Sequence, residues 1–540
     1  MRPQNTNVWD CIELKFKSSK SYGNAFRDVT LRGEFIGPRG EYINIPGFWD
    51  GDNIWKIRFA PTTEGCWTWK TMCSDIGDSG LHCQEGEIIA SPWAATDIST
   101  NPNRHGFLKV HESGRYFTYA DGTKFYWLGD TLWMMYTERC DEKTFLPAYI
   151  EDRKEKGFTL VQVCIGRPSL DEMKRSKGDE THFSPEDFMG EGGAPYIRSY
   201  DLINPEYFEY IDRKISMLLE AGFVPCIMGM WGQDLEYIGV DNAKEFWRYI
   251  IARYSAYNVL WSISGEYFFT PNEQWWREIG QDMHMFDPYR HPTTVHSTAP
   301  HSGSRHYQSE EWYDFNLVQV GHVALFKKLL ETLPYDDYHA KPVKPSIMSE
   351  SWYENHPSCI GEERRLTELE IRMATYIPLF QGCIGQSYGA HGIWSVYDGR
   401  GVWEDYFRPF HWQHDLKLPV SSQMKHLRTL MDKVRWWELE PRPDLVTGPL
   451  GIDVYCTCIF GCQYIVYAVG KKDTFMVFVP GGTGEEYKGQ WFNPRTGEWS
   501  EAAGEFAPYG SWWRWTVTKP DDEDWVLVLK RTGWNSTLYE

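Results

Sequence analysis

The sequence predicts an α/β protein: a (β/α)8 TIM barrel flanked by an N-terminal and a C-terminal antiparallel β-sandwich. Three observations predict it. Between residues 105 and 435, strand-like apolar runs alternate with amphipathic helical stretches eight times, the pattern of a parallel sheet wrapped by its own crossovers. Residues 1–95 and 440–540 instead carry short alternating strands punctuated by turn residues, the pattern of sandwiches. The length, 540 residues, suits a chain split into several domains.

The elements follow in order. Cys11-Ile-Glu-Leu-Lys-Phe-Lys17 and Trp55-Lys-Ile-Arg-Phe59 alternate cleanly, and Gly37-Pro-Arg-Gly40, Trp49-Asp-Gly-Asp52 and Glu64-Gly65 mark turns between strands. Ser91-Pro-Trp93 to Asn101-Pro-Asn103 reads as a polar, Pro-bearing linker. In the barrel, strand one is Tyr126–Asp130, followed by a helix from Lys143 to Lys156 that Gly157 ends. Strand two is Leu160–Ile165, and a helix lies within 201–221, with Asn204 as cap and Pro205 in its first turn. Strand three is Phe223–Trp231, then a helix from Asn242 to Tyr254; strand four lies in Asn258–Tyr267, then a helix from Glu273 to Met285. Strands five and six are Pro292–Ser297 and Phe315–Val320, with a helix at Val323–Leu333. Strand seven lies in Lys344–Glu354, a helix covers Glu363–Leu379, and strand eight is Gly382–Tyr388. Strands return at Gly451–Phe460, Tyr464–Val469, Thr474–Val479 and Trp525–Leu529. Gly481-Gly-Thr-Gly484 is a turn, because no strand and helix flank it as a phosphate loop requires.

A net charge of −20 excludes nucleic acid and anionic membrane as partners and favours a neutral substrate. No apolar run is long enough to span a bilayer, and Met1–Val8 lacks a secretion core, so a cytoplasmic protein is expected. The 12 cysteines are scattered, several within apolar strands (Cys164, Cys226, Cys383), which fits buried free thiols in a reducing compartment. Cys456, Cys458 and Cys462 do not have the spacing of zinc ligands, and neither metal nor cofactor is expected. The 27 Trp and 32 Tyr suit either large cores or platforms for sugar rings.

Two stretches share one design. In Asn258-Val-Leu-Trp-Ser-Ile-Ser-Gly-Glu-Tyr267 and Lys344-Pro-Ser-Ile-Met-Ser-Glu-Ser-Trp-Tyr-Glu354, an apolar strand delivers one carboxylate, Glu266 or Glu350, into an aromatic setting. A carboxylate buried there is costly unless it is used or paired. In a (β/α)8 barrel the reacting groups sit at the C-terminal strand ends, and ends four and seven face each other across the mouth. Two such carboxylates are what glycoside hydrolysis requires. Other strand ends supply a polar, aromatic cup of candidate sugar contacts. Asp130 and Trp133 follow strand one, Arg167 strand two and Trp231 strand three. His296 and His301 follow strand five, Gln319 and His322 strand six, and Tyr388, His391 and Trp394 strand eight. Asp130 is read as a sugar ligand or as a cap for the next segment.

The segment from Gly47 to Trp69 resembles the immunoglobulin-like module that precedes some glycosidase barrels. Leu128-Gly-Asp-Thr-Leu-Trp133, Val318-Gln-Val-Gly-His322, Ser349-Glu-Ser-Trp-Tyr-Glu354 and Gln386-Ser-Tyr-Gly-Ala-His-Gly-Ile-Trp394 together resemble the apiosidase-like glycoside hydrolases. The C-terminal sandwich is similar to the collagen-binding-like module that accompanies them, from which no collagen binding follows. The resemblance implies a retaining mechanism with Glu266 as acid/base and Glu350 as nucleophile. One position departs from it: the apiosidases carry Asp in a Trp-Ile-Leu-Gly-Gly-Asp pattern where this chain has Trp261-Ser-Ile-Ser-Gly-Glu266. The extra methylene moves the acid by about 1 Å, a shift that matters for reacting geometry. The expectation is a retaining, exo-acting glycoside hydrolase that takes a terminal sugar from an oligosaccharide or plant-derived glycoside. A β-apiosidase proper or a transglycosidase are alternatives on the same scaffold, and a non-catalytic carbohydrate-binding protein is the alternative from another class. Carbohydrate is the expected partner, and both sandwiches are candidate contacts of a homo-oligomer.

Overall fold

Eight strands of the central sheet run parallel, and helices that the sequence pattern calls for connect all but the fifth and sixth, between which only Ser304–Tyr307 is helical. In the structure, a computed structural model, they are β1 (Trp127–Leu132), β2 (Leu160–Cys164), β3 (Val224–Met228), β4 (Leu260–Ser262), β5 (Thr293–Thr294), β6 (Asn316–Gln319), β7 (Ser346–Glu350) and β8 (Gly385–Tyr388). The structure describes residues 3–168, 188–198, 200–270, 272–360, 364–400, 408–480 and 487–534. Most of the long connection after strand two, the Gly481 turn and the expected helix start at Glu363 lie outside the described residues. The sheet order is β5-β4-β3-β2-β1-β8-β7-β6, and a ninth strand, His301–Ser302, pairs antiparallel with β6. The observed unit is therefore a curled, nine-stranded α/β sheet.

The helices are α1 (Phe145–Glu155), α2 (Pro205–Glu220), α3 (Asp234–Tyr254), α4 (Glu273–Phe286), α5 (Leu329–His339), α6 (Glu368–Phe380) and α7 (Pro419–Asp432). Asn204 caps α2 by accepting from the Tyr207 N–H, with Pro205 in the first turn as expected. Thr367 and Glu370 form a capping box on α6. Three helices differ from expectation: α6 begins at Glu368, since the described residues 364–367 ahead of it are not helical and Thr367 is its cap. Helix α3 starts eight residues early, across a kink at Gly239, whose φ of +73° a glycine adopts without steric cost. The stretch from Val323 divides into a 3-10 turn, Ala324–Lys328, and α5, which contains Pro334.

Alternate strand residues face the sheet's interior. Trp127, Leu160, Val224, Cys226, Leu260, Leu317 and Ile347 point there and, with Phe117 and Phe315, form an apolar plug at the N-terminal ends. One step toward the C-terminal ends the interior turns polar: Trp127 Nε1 donates to Ser387 Oγ at 3.0 Å, and that hydroxyl donates to Gln162. The opposite set, including Leu128, Val161, Ile227, Trp261, Val318 and Met348, packs outward in the main core, which also takes in helix residues such as Ile211, Trp247 and Ile377.

On the N-terminal side, a five-stranded and a three-stranded sheet enclose their own core around Phe35, Ile57 and Trp67. Arg58 of this module and Arg253 of α3 both pair with Asp212 on α2, which ties the module to the central sheet. On the C-terminal side, a six-stranded and a four-stranded sheet share a second core. The six-stranded sheet rests on α6 through Tyr376 and Tyr467, stacked at 5.1 Å, and through the buried Arg372–Asp524 pair at 2.9 Å. Among the described residues, no helix is long and apolar enough to cross a membrane.

Candidate active site

A one-residue irregularity in β7 puts Glu350 where it is. Val318 pairs with Met348, but the next partner of Gln319 is Glu350 rather than Ser349. Leu317 and Gln319 alternate onto the interior face, as does Ile347 across from Leu317. In unbroken register the residue brought to that face would be Ser349. The bulge instead leaves Ser349 bonded through its hydroxyl to Val318 O at 2.9 Å and turns Glu350 inward beside Gln319.

Glu266 arrives by a different route. Chain pairing continues beyond β4: Ile263 N–H donates to Thr294 O, His296 N–H to Ser264 O, and Gly265 N–H to Met230 O, each at 2.9 Å. Glu266 then adopts a left-handed backbone, φ +42° and ψ +53°, which is strained for a side chain with a Cβ. Two glycines permit that turn. A Cβ on Gly265 would lie 2.3 Å from Met228 Sδ and 2.7 Å from Trp231, and one on Gly232 would lie 2.4 Å from Glu266 O.

The two carboxylates meet at Gln319. Its Nε2 donates to Glu266 Oε1 at 3.4 Å, and Gln319 is also the ladder partner of Glu350 on the neighbouring strand. Burial pushes the Glu266 carboxyl up to about 8, and the charge of Glu350 adds to the rise; Gln319 and the more distant Arg167 oppose it. Glu350, 7% exposed, is also raised by burial, against which His296 and hydrogen bonds from Tyr353 and Gln319 act. Burial together with the neighbouring charge of Glu350 thus favours the neutral form of Glu266.

Six of the expected contacts gather around this pair. Trp133 packs edge-on to Trp231 at 5.9 Å and to His296 at 5.3 Å, and its Nε1 donates to the Tyr353 hydroxyl at 2.9 Å. His296 Nε2 lies 3.5 Å from Glu350 Oε2, and His322 Nε2 lies 3.3 Å from Oε1. Arg167 is held by Asp234 at 2.9 Å, and the same Asp234 oxygen accepts the Trp231 backbone N–H. Gln319 completes the set.

The other five sit elsewhere. Asp130 has no exposed surface; its Oδ2 takes a 2.6 Å bond from buried Arg153 and its Oδ1 caps the Thr131 N–H, in place of the expected sugar contact. Tyr388 is buried, and its hydroxyl donates to Glu354 at 2.6 Å, which draws it below the mouth. His391 is fully buried, accepts the Trp394 indole N–H at 3.2 Å, and lies two rings from Glu350, edge-on to His356, which in turn packs on His322. Trp394, half-buried, stands beyond His391 on the same path. His301 pairs with Gln319 in the antiparallel ladder, but its ring packs on Phe268 at 4.7 Å, at the rim.

Sequence reasoning passed over Tyr353, Asp234, Arg153, Glu354 and His356. Tyr353 carried a signal, since it lies three residues after Glu350 in the same motif. Glu354 binds Tyr388 and the N–H groups of Val420 and Ser421 at the start of α7, and burial pushes it up to about 7. Among the described residues, no group of three His, Cys, Asp or Glu is placed to hold a metal ion. The arrangement offers one neutral acid, one carboxylate poised to ionise and an aromatic enclosure.

Comparison with known proteins bears on this site. Residues 111–438 match the family described as "Apiosidase-like, catalytic domain". Residues 5–74 match a domain of unknown function, DUF5060, and residues 456–530 match a "Putative collagen-binding domain of a collagenase". No curated protein matches the chain. Among solved structures, a "putative glycoside hydrolase" from Bacteroides vulgatus ATCC 8482 is 20% identical with a TM-score of 0.73, over 98% of this chain and 100% of that one. A family 5 glycoside hydrolase from the same organism is 21% identical with a TM-score of 0.67, over 81% of this chain and 96% of that one.

Proposed function

Since the chain is a glycoside hydrolase that belongs to the apiosidase-like catalytic-domain family, we propose that it retains anomeric configuration, acts on chain ends, and releases a terminal sugar from an oligosaccharide or plant-derived glycoside. The observation that carries this reading is two buried carboxylates brought together beside Gln319, which donates to Glu266 and pairs with Glu350 in the ladder. Glu350 attacks the anomeric carbon while Glu266 gives its proton to the departing oxygen. In the second step, Glu266 takes a proton from water as that water displaces Glu350 from the sugar.

Trp133, Trp231, Tyr353 and His322 enclose the pair in a cup that suits a sugar at a chain end. Arg167, His296 and Gln319 are its polar contacts; Trp394 and His301 stand at its outer reach. The nine-stranded sheet is read as a closed (β/α)8 barrel, supported by Asp314 N–H donating to Thr293 O at 2.7 Å and Thr294 Oγ1 to Phe315 O at 2.6 Å, between the ends of β5 and β6. On this reading the catalytic domain occupies 105–435, with sandwich domains at 1–95 and 440–540.

The test is chemical rescue. A panel of nitrophenyl glycosides identifies the sugar, and Glu350→Gly is then assayed with and without azide. Azide should restore turnover and yield the glycosyl azide of inverted configuration. Rescue by azide of Glu266→Gly alone, with retained configuration, would be explained only if Glu266 were the acid/base, and no rescue of Glu350→Gly would remove Glu350 as nucleophile. Sugar binding without turnover of any glycoside would identify a non-catalytic binder.

A further inference from the structure

Glu350 lies between two imidazoles, one at each oxygen: His296 Nε2 3.5 Å from Oε2 and His322 Nε2 3.3 Å from Oε1. Burial holds both rings below the usual imidazole range, His322 at about 4, so both are neutral at neutral pH. In a neutral imidazole one nitrogen carries the proton and the other accepts. His322 Nδ1 accepts the Tyr353 backbone N–H at 3.3 Å, a bond that favours the tautomer with its proton on Nε2, facing Glu350, while the ring also hydrogen-bonds the Ser351 backbone. The ring is held in that orientation by Tyr353 at 4.2 Å and His356 at 4.3 Å. His356 is itself fixed, since its Nδ1–H donates to Pro357 O at 2.6 Å.

His296 is 1% exposed and packed edge-on to Trp133, and among the described residues its ring nitrogens make no well-formed hydrogen bond, only a weak one with the Ser297 backbone. A buried, unsatisfied imidazole is unfavourable unless something in its surroundings uses it. The acceptor its Nε2 faces is the Glu350 carboxylate. Hydrogen bonds at catalytic sites are often long without substrate and tighten when charge and geometry are in place.

We infer that His296 and His322 are positioning residues, a pair of neutral N–H donors that hold the two oxygens of Glu350 and fix the plane of the attacking carboxylate. The pair favours the ionised nucleophile without bringing a formal charge into the site. The inference rests on the reading of Glu350 as nucleophile. The groups that face Glu350 are Glu266 after β4, His296 after β5, Gln319 on β6, His322 after β6, and Tyr353 on its own segment. Behind His322 stands His356, with the charge of Arg365 beyond it.

The titration itself needs no substrate. In a Glu266→Gln background, which removes the second titrating carboxylate, the Glu350 carboxyl band is titrated by infrared difference spectroscopy against the Glu266→Gln/Glu350→Gln protein. Losing one donor from a charged acceptor should move the Glu350 midpoint upward by about one pH unit, in His322→Phe and in His296→Phe alike. His322→Gln, which keeps an N–H donor at that position, should return most of the shift. An unmoved midpoint in folded His322→Phe overturns the inference, as does an equal shift in the Gln and Phe variants. His322 is the less buried ring, so it carries the test if His296→Phe does not fold. An unmoved midpoint beside azide rescue of Glu350→Gly refutes the clamp and leaves the glycosidase reading intact; a moved midpoint without rescue does the reverse.

Discussion

Replacing Glu266 by Gln removes one proton from the site and little else, so its effect can be worked out. Burial and the charge of Glu350 push Glu266 up to about 8. The acid form does the work in the first step, so kcat/KM should fall as pH rises through that value. Roughly nine-tenths of Glu266 is protonated at pH 7 and one-tenth at pH 9, a drop of about tenfold. The acid limb belongs to ionisation of Glu350, which burial places above the ordinary glutamate range. Because the groups interact, both limbs are properties of the pair. The Gln variant should lose the basic limb and, for an alkyl glycoside whose leaving oxygen needs a proton, about 10²–10⁴-fold in rate. A nitrophenyl glycoside, whose leaving group departs as the anion, should lose less in the glycosylation step. The assay is kcat/KM from pH 5 to 10 for both proteins on both substrates. A basic limb near 8 that survives in Glu266→Gln, or equal losses in glycosylation for the two leaving groups, would refute the assignment.

Two further substitutions separate framework from chemistry. Arg153→Met leaves Asp130 buried without its 2.6 Å partner, and breaking such a pair costs about 3–5 kcal/mol. The urea midpoint should fall and partly recover in Asp130→Asn/Arg153→Met, with KM of the folded protein unchanged; a KM effect without a stability effect would restore Asp130 as a sugar ligand. Gly265→Ala would press a Cβ onto Met228 and Trp231 and push Glu266 off its turn. A displacement of about 1 Å is worth on the order of 10²-fold in kcat, measured beside circular dichroism to show that the fold persists; wild-type kcat would show that the close packing does not position the acid.

Much of the scaffold was legible because it depends on local periodicity. The alternation of strand and helix, Asn204 with Pro205 at a helix start, and the apolar runs ahead of Glu266 and Glu350 each report on residues close in the chain. The cup was legible only in part. Strand-end position alone cannot separate Trp133, which bonds Tyr353 and packs on His296, from Asp130, three residues earlier and sealed by Arg153. Nor does it separate His322, against Glu350, from His391, two rings away. In each case the deciding partner lies far along the chain or on another strand.

By itself, then, the sequence determined an α/β chain of alternating strands and helices and pointed to two carboxylates at strand ends, since these follow from residue type and from periods of two and 3.6. Only the tertiary structure decided which way those carboxylates face and which of them keeps the proton. The direction of Glu350 depends on a slip of one residue between β6 and β7, and that of Glu266 on a left-handed turn between two close-packed glycines. The proton's place depends on burial and on the neighbours each group meets in the folded chain: Glu350 beside Tyr353, Gln319 and His296, Glu266 beside Gln319 and the charge of Glu350. Those are properties of distance and dielectric, and they exist only once the strands have been brought together.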